Sequence, residues 1–494
     1  MVHRFLERGT KYFMGQSRFL GLDVGTQGLK GVIIDAEGQS LWQHTVPYPT
    51  LTPRAGWNEQ HPEDWQKALT TLLDQVAESR IPIQAIGLTG QMHTSVFCDV
   101  DGNPLRPAIL WSDTRGSEQV QQLLAKYGES TLWKRFGNLP LVNYTLIKCL
   151  WVQHEEPEIW KKVAHIAVAK DWIRFLMTGN WGSEVGDASG TYWLSVADRN
   201  WDNAWLEEQN LPPEWIGPVV ESNVVVGTNR LGPKALQGIP VVAGSGDQPA
   251  SALGTGVVHS NTIGISLGTS GVVFWPQPKF DPPPHASIHA FCHALPNQWY
   301  WMGVTQAAAY SLTWLHERFA GGASYDDWTD EASTAPAGSD GLIFLPYLNG
   351  ERAPINDPEA RGVWFGLSSA HGRNHLIRSV LEGVALSLKD VVVTMGAEGQ
   401  NRRVVATGGG VKSALWSQML ADVLGSPIDI VEDPGAAVGA ARLAQVSQFP
   451  DALKAIAPTV TRTVHPNSAV RATYDEAFAQ YRELYHRVKP MFHP

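Results

Sequence analysis

The chain has 494 residues, enough for two to four domains at ~150 residues each and for a large core without covalent staples. Hydrophobic residues make up 43% and charged residues 17%, which excludes a disordered chain or a coiled coil. A net charge of −10 with no basic tract argues against nucleic acid or an anionic membrane as a partner.

Three cysteines (Cys98, Cys149, Cys292) are too few for a disulfide framework and fit a reducing, cytoplasmic location. No apolar run is long enough to read as a transmembrane helix. Residues 1–17 lack the apolar stretch of a secretory signal. They read as a flexible leader in which Met14 is an alternative start.

The first element in chain order is a strand at 19–23, broken by Gly25-Thr26-Gln27-Gly28. A second strand at 29–35 makes this a hairpin with a glycine turn, and a third strand follows near 40–48. Residues 62–79 carry helical spacing through Trp65, Leu69, Leu72, Leu73 and Val76. A strand at 83–88 then runs into Gly90-Gln91-Met92-His93. Alternation of the two periods points to an α/β chain.

The first glycine turn has a counterpart 243 positions later, Gly268-Thr269-Ser270-Gly271. Two similar halves with a boundary near 258 follow from that repeat. Further on, 403–407 reads as a strand before Gly408-Gly409-Gly410, and 414–424 as a helix. The small-residue run GAAVGAARLA at 435–444 suits close packing against a flat surface, and 474–491 reads as a C-terminal helix.

No phosphate-loop sequence of the G-x-x-x-x-G-K-[ST] type and no strand–GxGxxG–helix unit is present. The G-x-S-x-G match at 264–268 continues as a strand, whereas a nucleophile elbow needs a helix there. Asp23 ends a strand before an amide-rich turn, a setting in which a carboxylate positions Mg²⁺ and backbone N–H groups hold phosphate oxygens. A structural hairpin with an Asp in its turn reads equally well when that loop stands alone. Asp247 follows the apolar run 239–243 and precedes a helix start expected at Pro249. It reads either as a fixed base kept ionised by the helix dipole or as an ordinary N-cap. His285, His289, Cys292 and His293 have metal-like spacing without a second ligand pair.

Together these segments resemble the FGGY family of carbohydrate kinases, and within it most closely the xylulose kinases. The anchors include GLDVGTQGLKGVIID, IGLTGQMHTSV, LRPAILWSDTR, GSGDQPASALGTG, ISLGTSGVVF, FLPYLNGERAPINDPEARGVWFGLS and ATGGGVKSALWSQMLADVLG. The resemblance implies two ribonuclease-H-like α/β domains, of the actin and hexokinase type, around a cleft holding sugar and MgATP. Its implied division is 18–258 on the sugar side, 259–460 on the nucleotide side, and a helical extension at 461–494. By motif, Asp247 matches the catalytic base and Asp23 the carboxylate near Mg²⁺. Met92, His93, Trp111, Asp113 and Gln248 match the sugar side. Thr26, Gln27, Gly268, Thr269, Ser270, Gly409 and Gly410 match phosphate- and nucleotide-facing loops, with Gly435 and Ala436 on the adenine side. Xylulose kinases usually carry Asn after the catalytic Asp, where this chain has Gln248.

The implied activity is ATP-dependent phosphorylation of a ketopentose, D-xylulose to D-xylulose 5-phosphate, with ATP and Mg²⁺ as cofactors and a homodimer as the assembly. The alternatives are a family kinase for ribulose, L-xylulose, a tetritol or glycerol, and a non-catalytic ATP switch on the same fold.

Overall fold

The computed structural model describes residues 17–398, 402–432, 434–457 and 459–493. The leader and Met14 lie outside the described residues, apart from Ser17.

Strand β1 (Phe19–Val24) runs antiparallel to β2 (Gly28–Ile34), which pairs with β3 (Ser40–Pro47). Helix α1 (Pro62–Glu78) starts on a proline with Glu63 and Asp64 in its first turn, residues that suit the amide-rich end of a helix. It buries Trp65, Leu69, Leu72, Leu73 and Val76, the face its spacing predicts. The chain returns as β4 (Ala85–Gly90), parallel to β1. With β5 (Val225–Thr228) and β6 (Pro240–Val242) the first sheet has the order β5-β6-β4-β1-β2-β3.

Helix α2 (Asp247–Thr255) leads into the second half. There β7 (Thr262–Leu267), β8 (Gly271–Gln277), β9 (His289–Cys292) and β10 (Trp299–Thr305) precede the long buried helix α3 (Arg373–Thr394). Strand β11 (Arg403–Thr407), helix α4 (Ala414–Leu424) and strand β12 (Ile428–Val431) follow. Helix α5 (Ala436–Gln448), strand β13 (Val460–Val464) and helix α6 (Arg471–Phe492) complete the chain. The second sheet has the order β9-β10-β8-β7-β11-β12-β13.

The two glycine turns occupy the same place in their sheets. β1 lies between antiparallel β2 and parallel β4, and β7 lies between antiparallel β8 and parallel β11. The turns at 25–27 and 268–270 close the two equivalent hairpins. The G-x-S-x-G segment belongs to β7 and passes into antiparallel β8, so it forms no strand-to-helix elbow.

Helix α5 belongs to the second half in sequence but packs on β1 and β4 of the first sheet, with α2 against its other side. Only glycine fits these contacts. A Cβ on Gly21 would lie 1.8 Å from Ala437 O, on Gly87 1.9 Å from Ala440 O, and on Gly439 1.8 Å from Ala250 O. The GAAVGAARLA run is therefore a seam between the halves.

Helix α6 buries Tyr474, Tyr481, Leu484 and Tyr485 in the core of the second half. Tyr481 Oη donates to Tyr347 Oη at 2.8 Å, and Tyr485 Oη to Asp357 Oδ2 at 2.8 Å. β13 spans the 460/461 position and completes the second sheet beside β12. Among the described residues, no helix is long and apolar enough to cross a membrane.

Gly439→Ala should lower stability by ~1–3 kcal/mol, because the added methyl must push α2 from α5. Denaturant unfolding reads this directly. A midpoint equal to the wild type would show that the seam yields without cost.

Candidate functional site

The carboxyl ends of β1, β4 and β7 and the amino end of α2 converge between the halves. A cavity of about 270 Å³ there is lined by Met92, His93, Trp111, Asp247, Gln248 and Ser270 among the residues singled out from the sequence. Tyr144, Phe291, Met302, Gln306 and Arg352 complete much of its wall. A second cavity of about 190 Å³ shares Gln248 and Val272 with it and runs between α2 and β7, β8 and β11.

Asp247 is the first residue of α2; the cap position is Gly246, which offers no side chain. The helix thus begins two residues before the expected Pro249, which is tolerated because a proline in the first turn costs no ladder bond. The N-cap reading of Asp247 does not apply. Burial, then the charge of Asp23, push its carboxyl up to about 7. The expectation that the helix dipole keeps Asp247 ionised is corrected: desolvation and like charge outweigh the dipole.

Asp23 lies at the end of β1, opposite Lys30 in the hairpin register. Burial raises its carboxyl to about 6, with Lys30 opposing the shift. Its Oδ1 is buried without a hydrogen-bond partner among the described residues. An unpaired carboxylate oxygen beside a second carboxylate is a donor set suited to a hard divalent cation.

His93 adopts φ +69°, uncommon for a residue with a Cβ and held here by its surroundings. Its carbonyl accepts from Lys148 Nζ at 2.7 Å and Thr145 Oγ1 at 3.1 Å. Its Nδ1 lies 2.7 Å from Gly190 O. A carbonyl only accepts, so Nδ1 carries the proton and Nε2 is an acceptor. Burial lowers the imidazole to about 3, so it stays neutral. Two glycines make room for this pair: a Cβ on Gly190 would lie 2.5 Å from His93 Nδ1, and on Gly246 2.7 Å from Met92 Cγ.

The first glycine turn is tied down on several sides. Tyr48 Oη donates to Gly25 O at 2.6 Å, and Gln60 Nε2 to Thr26 O at 2.6 Å. Trp111 Nε1 donates to Thr26 Oγ1 at 3.0 Å, linking that turn to the cavity wall. Gln27 is exposed, and its carbonyl accepts from Tyr48 N. In the second turn, Gly268 O accepts from Ala309 N at 2.8 Å and Thr269 O from Ala308 N at 3.0 Å. Gly408, at φ +100°, lies against Leu267, while a Cβ on Gly409 would meet open space. The 268–270 and 408–410 turns are therefore neighbours.

Asp113 stands apart from the cavity. Both its oxygens are taken by Arg115, at 2.9 and 2.7 Å, with further bonds from the backbone N–H groups of Asn58 and Arg115. Gly435 and Ala436 open α5, where a Cβ on Gly435 would lie 3.4 Å from Lys30 Nζ. They line neither cavity.

The four His and Cys residues with metal-like spacing diverge. His285 Nδ1 pairs with the Ser287 hydroxyl at 2.7 Å, and His293 is fully buried. His289 faces the cavity, with Nδ1 3.1 Å from Asn138 Oδ1.

Residues missed from the sequence include Tyr144, Gln306 and Arg352. Gln306 N donates to Glu351 Oε1 at 2.7 Å, and burial raises that carboxyl to about 8. The Arg352 guanidinium has no ion-pair partner within 4.0 Å among the described residues. The signal available for Arg352 was its charge inside the apolar, glycine-containing segment FLPYLNGERAP.

Residues 18–254 match the FGGY family of carbohydrate kinases, N-terminal domain, and residues 263–448 match its C-terminal domain. The chain is 37% identical to a xylulose kinase of Escherichia coli (strain K12), over 96% of this chain and 99% of that one. It is 34% identical to a xylulose kinase of Bacillus subtilis (strain 168), over 96% and 97% of the two chains. The solved structure of a xyloylose (xylulose) kinase from Brucella ovis superposes with a TM-score of 0.90 at 34% identity, covering 96% of this chain and all of that one.

A carboxyl raised from 3.8 to about 7 on folding contributes stability at low pH that is lost as the pH rises through that window, because the unfolded chain ionises first. Asp247→Asn removes this loss. Its melting temperature relative to wild type should be higher near pH 8 than near pH 4. An offset identical at both would contradict a raised Asp247.

Proposed function

The chain belongs to the FGGY family of carbohydrate kinases, and from that premise we propose that it transfers the γ-phosphoryl group of ATP to the terminal hydroxyl of D-xylulose, giving D-xylulose 5-phosphate and ADP. The observation that carries this reading is Asp247: a half-buried carboxyl near 7, on the wall of a partly open, largely apolar cavity beside the Asp23 turn. A general base works best when its pKa lies near the working pH.

In this reading, Asp247 accepts the hydroxyl proton as the substrate oxygen attacks the γ-phosphorus and the bond to the ADP oxygen breaks. The neutral His93 Nε2 accepts a hydrogen bond from a sugar hydroxyl, and Arg352 donates to sugar oxygens from the facing wall. Met92 and Trp111 supply apolar surface, and Gln248 sits where the two cavities meet. The turns at 268–270 and 408–410 approach the phosphates through backbone, which the open space at Gly409 permits. Asp23 would hold Mg²⁺, whose chemistry when bound is to neutralise charge on the phosphate oxygens. Residues 18–258 are assigned to the sugar side and 259–460, together with the rest of β13 and α6, to the nucleotide side. Phosphoryl transfer of this kind is mostly positioning and electrostatics.

Sugar-dependent ADP release across pentuloses, hexuloses and polyols tests the substrate. D-Xylulose should give the highest kcat/KM, and a clear preference for another sugar would replace it. Asp247→Ala should still bind MgATP and lose ~10²–10⁴-fold in turnover; near-normal turnover in the folded variant would remove Asp247 as the base. In Gln248→Asn, a changed sugar preference is expected, and an unchanged profile would show that this position does not set specificity.

A further inference from the structure

Away from the catalytic cavity, a groove of about 810 Å³ runs between the halves along the outer side of α5. It shares no lining residue with the cavity that contains Asp247 and only Thr255 with the second cavity. The first half contributes Lys30, Gln39 and Gln43, and the second contributes Arg442, Thr459 and Thr461. Strand β2 runs from the catalytic hairpin turn to the turn at 35–39, so the Arg442 end lies ~20 Å from that turn at ~3.3 Å per residue.

Arg442 is only 9% exposed, yet it makes no ion pair among the described residues and its Nε has no hydrogen-bond partner. Its guanidinium sits over the 35–39 turn, where a Cβ on Gly38 would lie 2.8 Å from Nη2. Lys30 enters the same groove from β2. Glu432 is on the wall, but pairs with neither cation within 4.0 Å among the described residues. A buried guanidinium that finds no counter-charge among the described residues is unfavourably placed, and this one lies in a chain of net charge −10. Its planar fork of donors matches phosphate. The volume falls in the range of small-molecule sites.

We infer that this groove binds a phosphate-bearing small molecule, held on the first-sheet side by Arg442 and Lys30 and reaching Thr461 on β13, so that its occupancy bridges the two sheets. The ligand would act as an effector of closure, since it contacts both halves without entering the catalytic cavity.

Titration calorimetry with inorganic pyrophosphate in EDTA tests the site on wild type and Arg442→Gln. Saturable binding is expected in the wild type, weakened about 10- to 100-fold in Arg442→Gln by loss of a charge-assisted contact. The variant's kcat and KM without pyrophosphate should match the wild type. Equal affinity in both proteins, as binding in the catalytic cleft would give, overturns the proposal, and so does absence of saturation in the wild type up to about 10 mM. Should Arg442→Gln fail to fold, Arg442→Lys keeps the charge and loses the fork, and weaker binding is again expected. AMP and D-xylulose 5-phosphate, each compared between wild type and variant, then distinguish a nucleotide from a sugar phosphate as the source.

Discussion

The architecture turns on the crossing of α2 and α5, which approach so closely that a single methyl at Gly439 would strike the Ala250 carbonyl. Neither helix stays on its own half. α5, from the second half, is pressed onto β1 and β4 through Gly21 and Gly87, while α2 carries the chain from the first half into the second. A contact made largely of backbone is stiff, since interiors packed to this density yield little. It fixes where α2 begins, and so where Asp247 points. It also leaves a space on either side, the catalytic cavity at one and the Arg442 groove at the other.

That placement has an electrostatic consequence. Asp247 and Asp23 are both half-buried, and each is pushed toward neutrality, to about 7 and about 6. Lys30, across the hairpin, offsets part of the shift at Asp23 but is not a contributor at Asp247. The site is thus held in an unfavourable charge state by its packing, which is a common way for a fold to keep a carboxylate basic near neutral pH. On the wall opposite, His93 and His289 are both held unprotonated, at about 3 and about 4, by burial and then by neighbouring positive charge that includes Arg352.

Much of this was legible in the sequence, because local patterns dictated it. The hairpin strands, α1, α4 and the two glycine turns follow from period and composition, and the repeat of the turns corresponds to equivalent places in two sheets. The small-residue run at 435–444 announced a close contact, though not its partner, which lies more than 400 residues earlier at Gly21. What was not legible is long-range. Tyr144, Gln306 and Arg352 reach the cavity from separate segments, and no local spacing links them. Asp113 was drawn to the sugar side by its motif, whereas Arg115, two residues on, absorbs its carboxylate. The ionisation of Asp247 was misjudged because a helix dipole is visible in sequence and burial beside Asp23 is not.

The central claim is that Asp247 acts as a base whose pKa is raised by burial and by the charge of Asp23. The most direct measurement is the pH dependence of kcat/KM for D-xylulose in wild type and in Asp23→Asn. The account predicts an acid limb near 7 in the wild type, moved to lower pH in Asp23→Asn whatever the loss in rate, since a repelling negative charge has been removed. A limb that stays in place, or moves to higher pH, would contradict it.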